Sequence, residues 1–248
     1  MPVSNPSPTH LAGGKPAESA DFILVRRYRL AHDWAPPAGR VLLDFGSGTG
    51  AQTFLFSDDF EIGYGADVSE SYLREFSRRA AELGIAHRYQ ALLYDGSRLS
   101  LSDASVDQAI SFEVLEHVED EAVALSELHR VLKPGGRLVM SVPNRWWIFE
   151  THGAKLPVLP WNRVPFFSWL PKSIHDRYAR ARIYRKREIV GKLEDAGFVV
   201  ERSGYITAPM DVVRWETLRN VLRSTFFKAD LTRIPFLGTA VLVSARKV

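Results

Sequence analysis

Cysteine is absent from this 248-residue chain. That excludes disulfides, thiolate metal sites and a cysteine nucleophile. Long apolar runs are missing as well, and none approaches the roughly 20 residues that a membrane-spanning helix needs. There is no internal repeat, so a solenoid or propeller is not expected. Residues 1–20 are rich in Pro, Ser and Gly and have no apolar core. Neither a secretory signal nor a stable element is expected there, and a disordered N-terminal tail is the reading. The remainder, 21–248, reads as one domain, since 46% hydrophobic and 25% charged residues suffice for one sizeable core. A cytoplasmic location is the expectation.

The formal net charge of +3 hides an asymmetry. Residues 1–144 hold 13 Lys+Arg against 20 Asp+Glu, and residues 145–248 hold 19 against 9. Solvated helix faces would account for this. So would attraction of an anionic substrate or surface to the basic half.

The most informative stretch is Val41 to Gly50, an apolar run ending in Asp44 and followed by Gly46, Ser47, Gly48, Thr49 and Gly50. The run suits a buried parallel strand. The alternating glycines permit a sharp turn with positive φ and let a ligand approach bare backbone. Ala51 to Phe56 can start a helix whose free N–H groups point at that ligand. The spacing is not the Gly-x-Gly-x-x-Gly of dinucleotide-binding oxidoreductases. No Lys-Ser or Lys-Thr follows, which excludes a phosphate-binding loop.

Further signals follow in order, each at the end of an apolar run. Glu61 to Ala66 reads as a strand closed by Asp67, where an acid can accept from a ribose diol. Arg88 to Leu93 reads as a strand followed by Asp95-Gly96. Val106 to Ser111 leads into Phe112-Glu113-Val114-Leu115-Glu116-His117. Glu121 to Leu132 is periodic as a helix and breaks at Lys133-Pro134-Gly135-Gly136, and Arg137 to Val142 is a fifth strand closed by Pro143-Asn144.

This ordered set, over about residues 38–144, resembles the class I S-adenosylmethionine-dependent methyltransferases, in particular small-molecule and quinone-ring O-methyltransferases. The resemblance implies an α/β fold, a doubly wound, mostly parallel seven-stranded Rossmann-like sheet, with an aromatic, Pro-rich lid insertion at 145–183. It implies that Asp44, Gly46, Ser47, Gly48 and Gly50 hold the methionyl and ribose parts of S-adenosylmethionine, and that Asp67 takes the ribose hydroxyls. It further implies Val68, Asp95 and Gly96 as contacts of the nucleoside, and Phe112 and Glu113 beside the site of methyl transfer. S-adenosylhomocysteine would be the product.

Glu113-x-x-Glu116-His117 places two carboxylates and an imidazole in one strand-to-helix corner. Similar patterns bind a divalent metal in some relatives of the resembling family, with a further histidine from beyond the fifth strand. Arg177 to Glu188, the matching neighbourhood, contains none. No metal ligand is therefore assigned, and a divalent cation is the less favoured alternative. A supporting role at the start of the next helix is the structural alternative. His117 is the leading general base, because an imidazole titrates near neutral pH, with Glu113 as the second catalytic residue and His152 and His175 as alternatives.

Arg145 to Arg182 contains four prolines, at 157, 160, 165 and 171, and four of the six tryptophans, at 146, 147, 161 and 169. The prolines forbid a long helix. The aromatics suit a pocket wall, a membrane-surface contact or a nucleic-acid platform, or a satellite core under a long loop. A lid over a hydrophobic, amphipathic or lipid-linked acceptor is favoured. The run Arg177, Arg180, Arg182, Arg185, Lys186, Arg187 would meet an anionic group. Nucleic acid is the weaker reading, and peripheral membrane contact is retained.

Helices are expected over Asp21 to Trp34 (Phe22, Val25, Tyr28 or Arg29, and His32 at helical spacing), Ser69 to Leu83, Tyr184 to Ala196 and Pro209 to Phe227. In the last, Val212, Trp215, Leu218 and Leu222 share a face. Strands are expected over Phe198 to Ile206 and Gly238 to Ala245. The favoured function is methyl transfer to oxygen. Alternatives are N- or C-methylation, RNA 2′-O-methylation, or a non-catalytic protein that binds S-adenosylmethionine.

Overall fold

The computed structural model describes residues 22–149, 165–210 and 215–248. The tail at 1–20, the centre of the insertion with His152, Pro157, Pro160 and Trp161, and Val212 lie outside them. Among the described residues one compact unit comprises 22–141, 190–202 and 243–248. The other comprises 142–149, 165–189, 203–210 and 215–242.

The elements run α1 (Phe22–Trp34), β1 (Val41–Phe45), β2 (Ile62–Asp67), α2 (Glu70–Glu82), β3 (Tyr89–Leu93), β4 (Val106–Phe112), α3 (Glu121–Val131) and β5 (Leu132–Pro143). Then follow α4 (Lys172–Tyr178), α5 (Lys186–Asp195), β6 (Phe198–Thr207), α6 (Glu216–Ser224), β7 (Leu231–Thr232) and β8 (Gly238–Lys247). The strands form one sheet in the order β3-β2-β1-β4-β5-β8-β6-β7. It has eight strands rather than seven, the addition being the two-residue β7, antiparallel to β6.

In the first unit β1 pairs in parallel with β2 and with β4. The chain passes from β1 outward through β2 to β3, then returns to the other side of β1 as β4. The order therefore reverses between β1 and β4, and a ligand crevice opens outside the carboxyl ends of strands at such a point. The core beneath is continuous: Leu42 and Leu43 of β1, Phe56, Phe76, Ala109, Ile110, Leu125, Leu128 and Val139 are all 1% exposed or less. At the near end of β1, Asp107 accepts from the N–H of Arg40 and of Val41, both at 2.9 Å, and from Lys133 Nζ at 2.7 Å. Burial pushes this carboxyl up, but the three donors outweigh it and hold it below the usual range.

Helix ends follow local chemistry. Ser69 caps α2 by accepting from Tyr72 N–H, and Asp120 caps α3 by accepting from the N–H of Ala122 and Val123. Two expectations are corrected. The Lys133 to Gly136 break is drawn into β5, which starts at Leu132 and shifts register opposite Val106 to Gln108. In α1 the buried side chains include Leu24, Leu30 and Ala31, whereas Phe22 and Val25 are 61% and 48% exposed. Leu24, Tyr28, Ala31 and Ala35 form an overlapping stripe, and its alanines allow a closer approach than the stripe through Phe22.

Candidate active site

The glycine turn stands at the end of β1. Gly46 and Ser47 both donate their N–H to Ala66 O, at 2.8 and 3.0 Å, which ties the turn to the end of β2. Gly46 has φ +85° and Gly50 φ +84°. A Cβ on Gly46 would meet Val114 at 2.2 Å, and one on Gly50 would meet the rings of Phe54 and Phe76 at 2.5–2.7 Å. Glycine is required here by conformation and by packing together. The helix expected from Ala51 is a single 3-10 turn, Thr53–Phe56. Phe54 caps the loop by donating its N–H to Gly50 O at 3.0 Å.

Two carboxylates frame this turn differently. Asp67, at the end of β2, accepts from Gly48 N–H on one oxygen and from Ser69 N–H on the other, each at 2.9 Å. Val68 beside it is 68% exposed. Asp44 is 2% exposed and accepts from Thr53 Oγ1 at 2.6 Å. Burial pushes its carboxyl up to about 7. Thr53 opposes the rise, Asp67 adds to it and the Arg27 guanidinium opposes it. Ser47 Oγ is buried without a hydrogen-bond partner, and Gly65 leaves it room: a Cβ there would come within 2.8 Å of it.

Asp95, beyond β3, is exposed, and its Oδ1 accepts from Ser97 N–H, Ser97 Oγ and Arg98 N–H, all at 2.8 Å. The backbone N–H groups of Arg98 and Ser97 hold it below the ordinary range. Gly96 has φ +92° with open space where a Cβ would stand.

At the end of β4, Phe112 is 8% exposed, and Arg27 of α1 lies 5.6 Å over its ring. Glu113 adopts φ +58°, rare for a side chain of its size. Its N–H donates to Ser141 O at 3.0 Å and its carboxylate accepts from Ser141 Oγ at 2.9 Å. Glu116 is fully buried, with Oε1 4.0 Å from Nε2 of His117, whose side chain is 12% exposed. Glu113 thus turns to β5 while Glu116 and His117 pair within the corner. Among the described residues no three His, Asp or Glu side chains are gathered as metal ligands. His175, the alternative base, is fully buried against Asp176 at 3.1 Å and the Phe167 ring at 5.2 Å. It is a core residue of α4.

Three participants escape a reading of motifs: Arg27, Thr53 and Val114. Arg27 lay one position off the apolar stripe expected in α1. Helix spacing alone could have raised it as a polar residue beside that face.

Three members of the basic run lie over aromatic rings. Arg177 lies over Tyr178, Arg185 over Trp146 and Lys186 over Tyr205, at 5.5–5.6 Å. Trp146 and Trp169 both pack on Phe236, at 5.7 and 5.6 Å. This cluster belongs to the second unit.

A doubly wound sheet, with a glycine turn at its reversal and acids at successive strand ends, defines a Rossmann-like nucleoside-binding protein. Residues 43–140 match a methyltransferase domain family. A probable S-adenosylmethionine-dependent methyltransferase of Mycolicibacterium smegmatis is 35% identical over 173 residues, 70% of this chain and 56% of that protein. A ubiquinone/menaquinone biosynthesis C-methyltransferase of Roseobacter denitrificans is 39% identical over 114 residues, 44% of each. The chain spans about half the length of these curated relatives. An S-adenosylmethionine-dependent methyltransferase from Aquifex aeolicus superposes with TM-score 0.60 at 18% identity, covering 92% of this chain and 94% of that one, which shows the fold. Residues 43–140 thus carry a methyltransferase domain similar to S-adenosylmethionine-dependent methyltransferases, and S-adenosylmethionine is the cofactor of that class.

Proposed function

We propose that this chain transfers the methyl group of S-adenosylmethionine to an oxygen of a small, amphipathic or lipid-like acceptor. The observation that carries the reading is the strapped Asp67 carboxylate beside the glycine turn. Each oxygen already accepts one backbone N–H and retains capacity for a ribose hydroxyl, so the acid is oriented before any ligand arrives. Gly46 and Gly48 present backbone to the ligand, and Val68 offers exposed apolar surface beside the ribose acid. Asp95 retains Oδ2 for the amino group of the base, with Gly96 N–H beside it. The cofactor's ammonium and sulfonium suit the buried Asp44, because a cation offsets the burial that disfavours its anion.

The bound cofactor supplies an electrophilic methyl group, so the protein gains rate mainly by alignment. His117, whose Nε2 lies 4.0 Å from Glu116 Oε1, removes the acceptor proton in this reading. Glu113 fixes the β4–β5 corner through Ser141. The acceptor is taken to be anionic or lipid-linked. C-methylation is the second reading, favoured by the name of the Roseobacter relative. A carbon acid on an activated ring also needs a base.

Titration calorimetry with S-adenosylmethionine should show one site in the wild type. Asp67→Ala should weaken binding about a hundredfold, the worth of two charge-assisted hydrogen bonds. No heat with the wild type refutes the cofactor assignment. Incubation with methyl-13C-labelled donor and phenolic or quinol acceptors then separates oxygen from carbon products by NMR. Product formed equally well by His117→Ala removes the base, which should otherwise be worth about a hundredfold or more in kcat.

A further inference from the structure

No residue of α6 is buried. Trp215, just before it, is 76% exposed, Leu218 44%, Val221 52% and Phe226, just after it, 71%. Trp215, Leu218 and Leu222 fall at i, i+3 and i+7, one stripe of a helix. Val221 extends that stripe on one side, and Arg219 and Arg223 border it on the other. Glu216 is the only acid in the helix, against Arg219 and Arg223, and Lys228 beyond it is matched by Asp230. A solvated surface helix would carry polar residues all round, and a core helix would bury this stripe. This helix does neither.

We propose that α6 is an interfacial helix that docks the chain on an anionic membrane surface. An apolar stripe rimmed by arginines, with an aromatic residue at each end, is the pattern of helices that lie in the headgroup region. Tryptophan is favoured at that depth, since its ring is apolar and its N–H polar. The excess of cations over the single acid selects anionic headgroups. The inference rests on α6 alone and not on the methyl acceptor, so each can fail without the other.

The test is flotation of the full chain with vesicles of phosphatidylcholine, with and without phosphatidylglycerol. Binding is expected with the mixed vesicles only, and raised salt should release it. Trp215→Ser/Phe226→Ser should abolish it. Arg219→Glu/Arg223→Glu should weaken it on the order of 25-fold or more, taking about 1 kcal/mol for each cation removed. Both variants should bind S-adenosylmethionine as the wild type does, which shows that they fold. Failure to float with the mixed vesicles overturns the proposal, and so does flotation that both variants retain. A concentration-dependent dimer in sedimentation equilibrium, broken by Trp215→Ser/Phe226→Ser, would assign the stripe to a second copy instead.

Discussion

The ends of β1, β2 and β4 and the surface around α6 handle side chains in opposite ways. At the strand ends the polar groups are committed to partners: Asp67 to two backbone N–H groups, Asp44 to Thr53, Glu113 to Ser141. Around α6, large apolar side chains stand in water and arginines border them. The first region is set up for one ligand of fixed shape. The second has contact area and charge without a fixed geometry, which suits recognition of a class of surface or acceptor. Substitutions should therefore be costly in the first region and cheap for folding in the second.

Gly50→Ala has the largest expected effect of substitutions in the glycine turn. The new Cβ would adopt φ +84° and press on Phe54 and Phe76 at 2.5–2.7 Å. Positive φ costs an L-residue about 1 kcal/mol or more, and overpacking adds about 1–3. Destabilisation of about 3 kcal/mol should appear in urea unfolding. A midpoint equal to the wild type's would show that the turn is loosely packed, and the comparison would collapse.

Asp44 sharpens the contrast through pH. Its carboxyl, pushed up to about 7 in the folded chain, ionises near 3.8 when unexposed to that burial. Between those values the folded state holds a proton that the unfolded state has lost. Stability should therefore fall as pH rises from about 4 to 7, the reverse of the usual paired acid. A cationic ligand favours the anion, so affinity for S-adenosylmethionine should rise with pH and level off above about 7, with proton release below it. Asp44→Asn should flatten the stability slope and remove the pH dependence of binding. Calorimetry in buffers of differing ionisation enthalpy reads the proton directly, and an unchanged slope in the variant would place the titration elsewhere.

The same division explains what was legible in the sequence. The glycine turn, Asp67, the cap at Ser69 and strands β1 to β4 follow from backbone chemistry that is local in the chain. A positive φ needs Gly, a helix start needs an oxygen, and a buried strand needs an apolar run. The face that α1 buries, the core position of His175 and the exposure of α6 were not legible, because a periodic stripe does not say what covers it. Tyr28 lies on either stripe of α1, and only the packing of Ala31 and Ala35 decides between them. The lid expected at 145–183 has its centre outside the described residues. Arg177, Arg185 and Lys186, read as part of a run that meets an anionic group, lie over three different rings. Long cationic stems settle on aromatic faces wherever tertiary structure presents them.

The smallest effect completes the comparison. Leu218→Ser/Val221→Ser removes apolar surface that is 44% and 52% exposed and fills no core. Substitutions away from buried features change stability by about 0.5 kcal/mol or less, and replacing exposed apolar surface costs no cavity. The urea midpoint should therefore stay with the wild type's, while Ile110→Ala in β4, whose side chain is fully buried, should lose about 2–5 kcal/mol. If the α6 pair instead destabilised the chain as a core substitution does, the helix would be packed in solution. Its apolar stripe would then belong to the fold rather than to a partner surface, and the two regions would differ in composition but not in role.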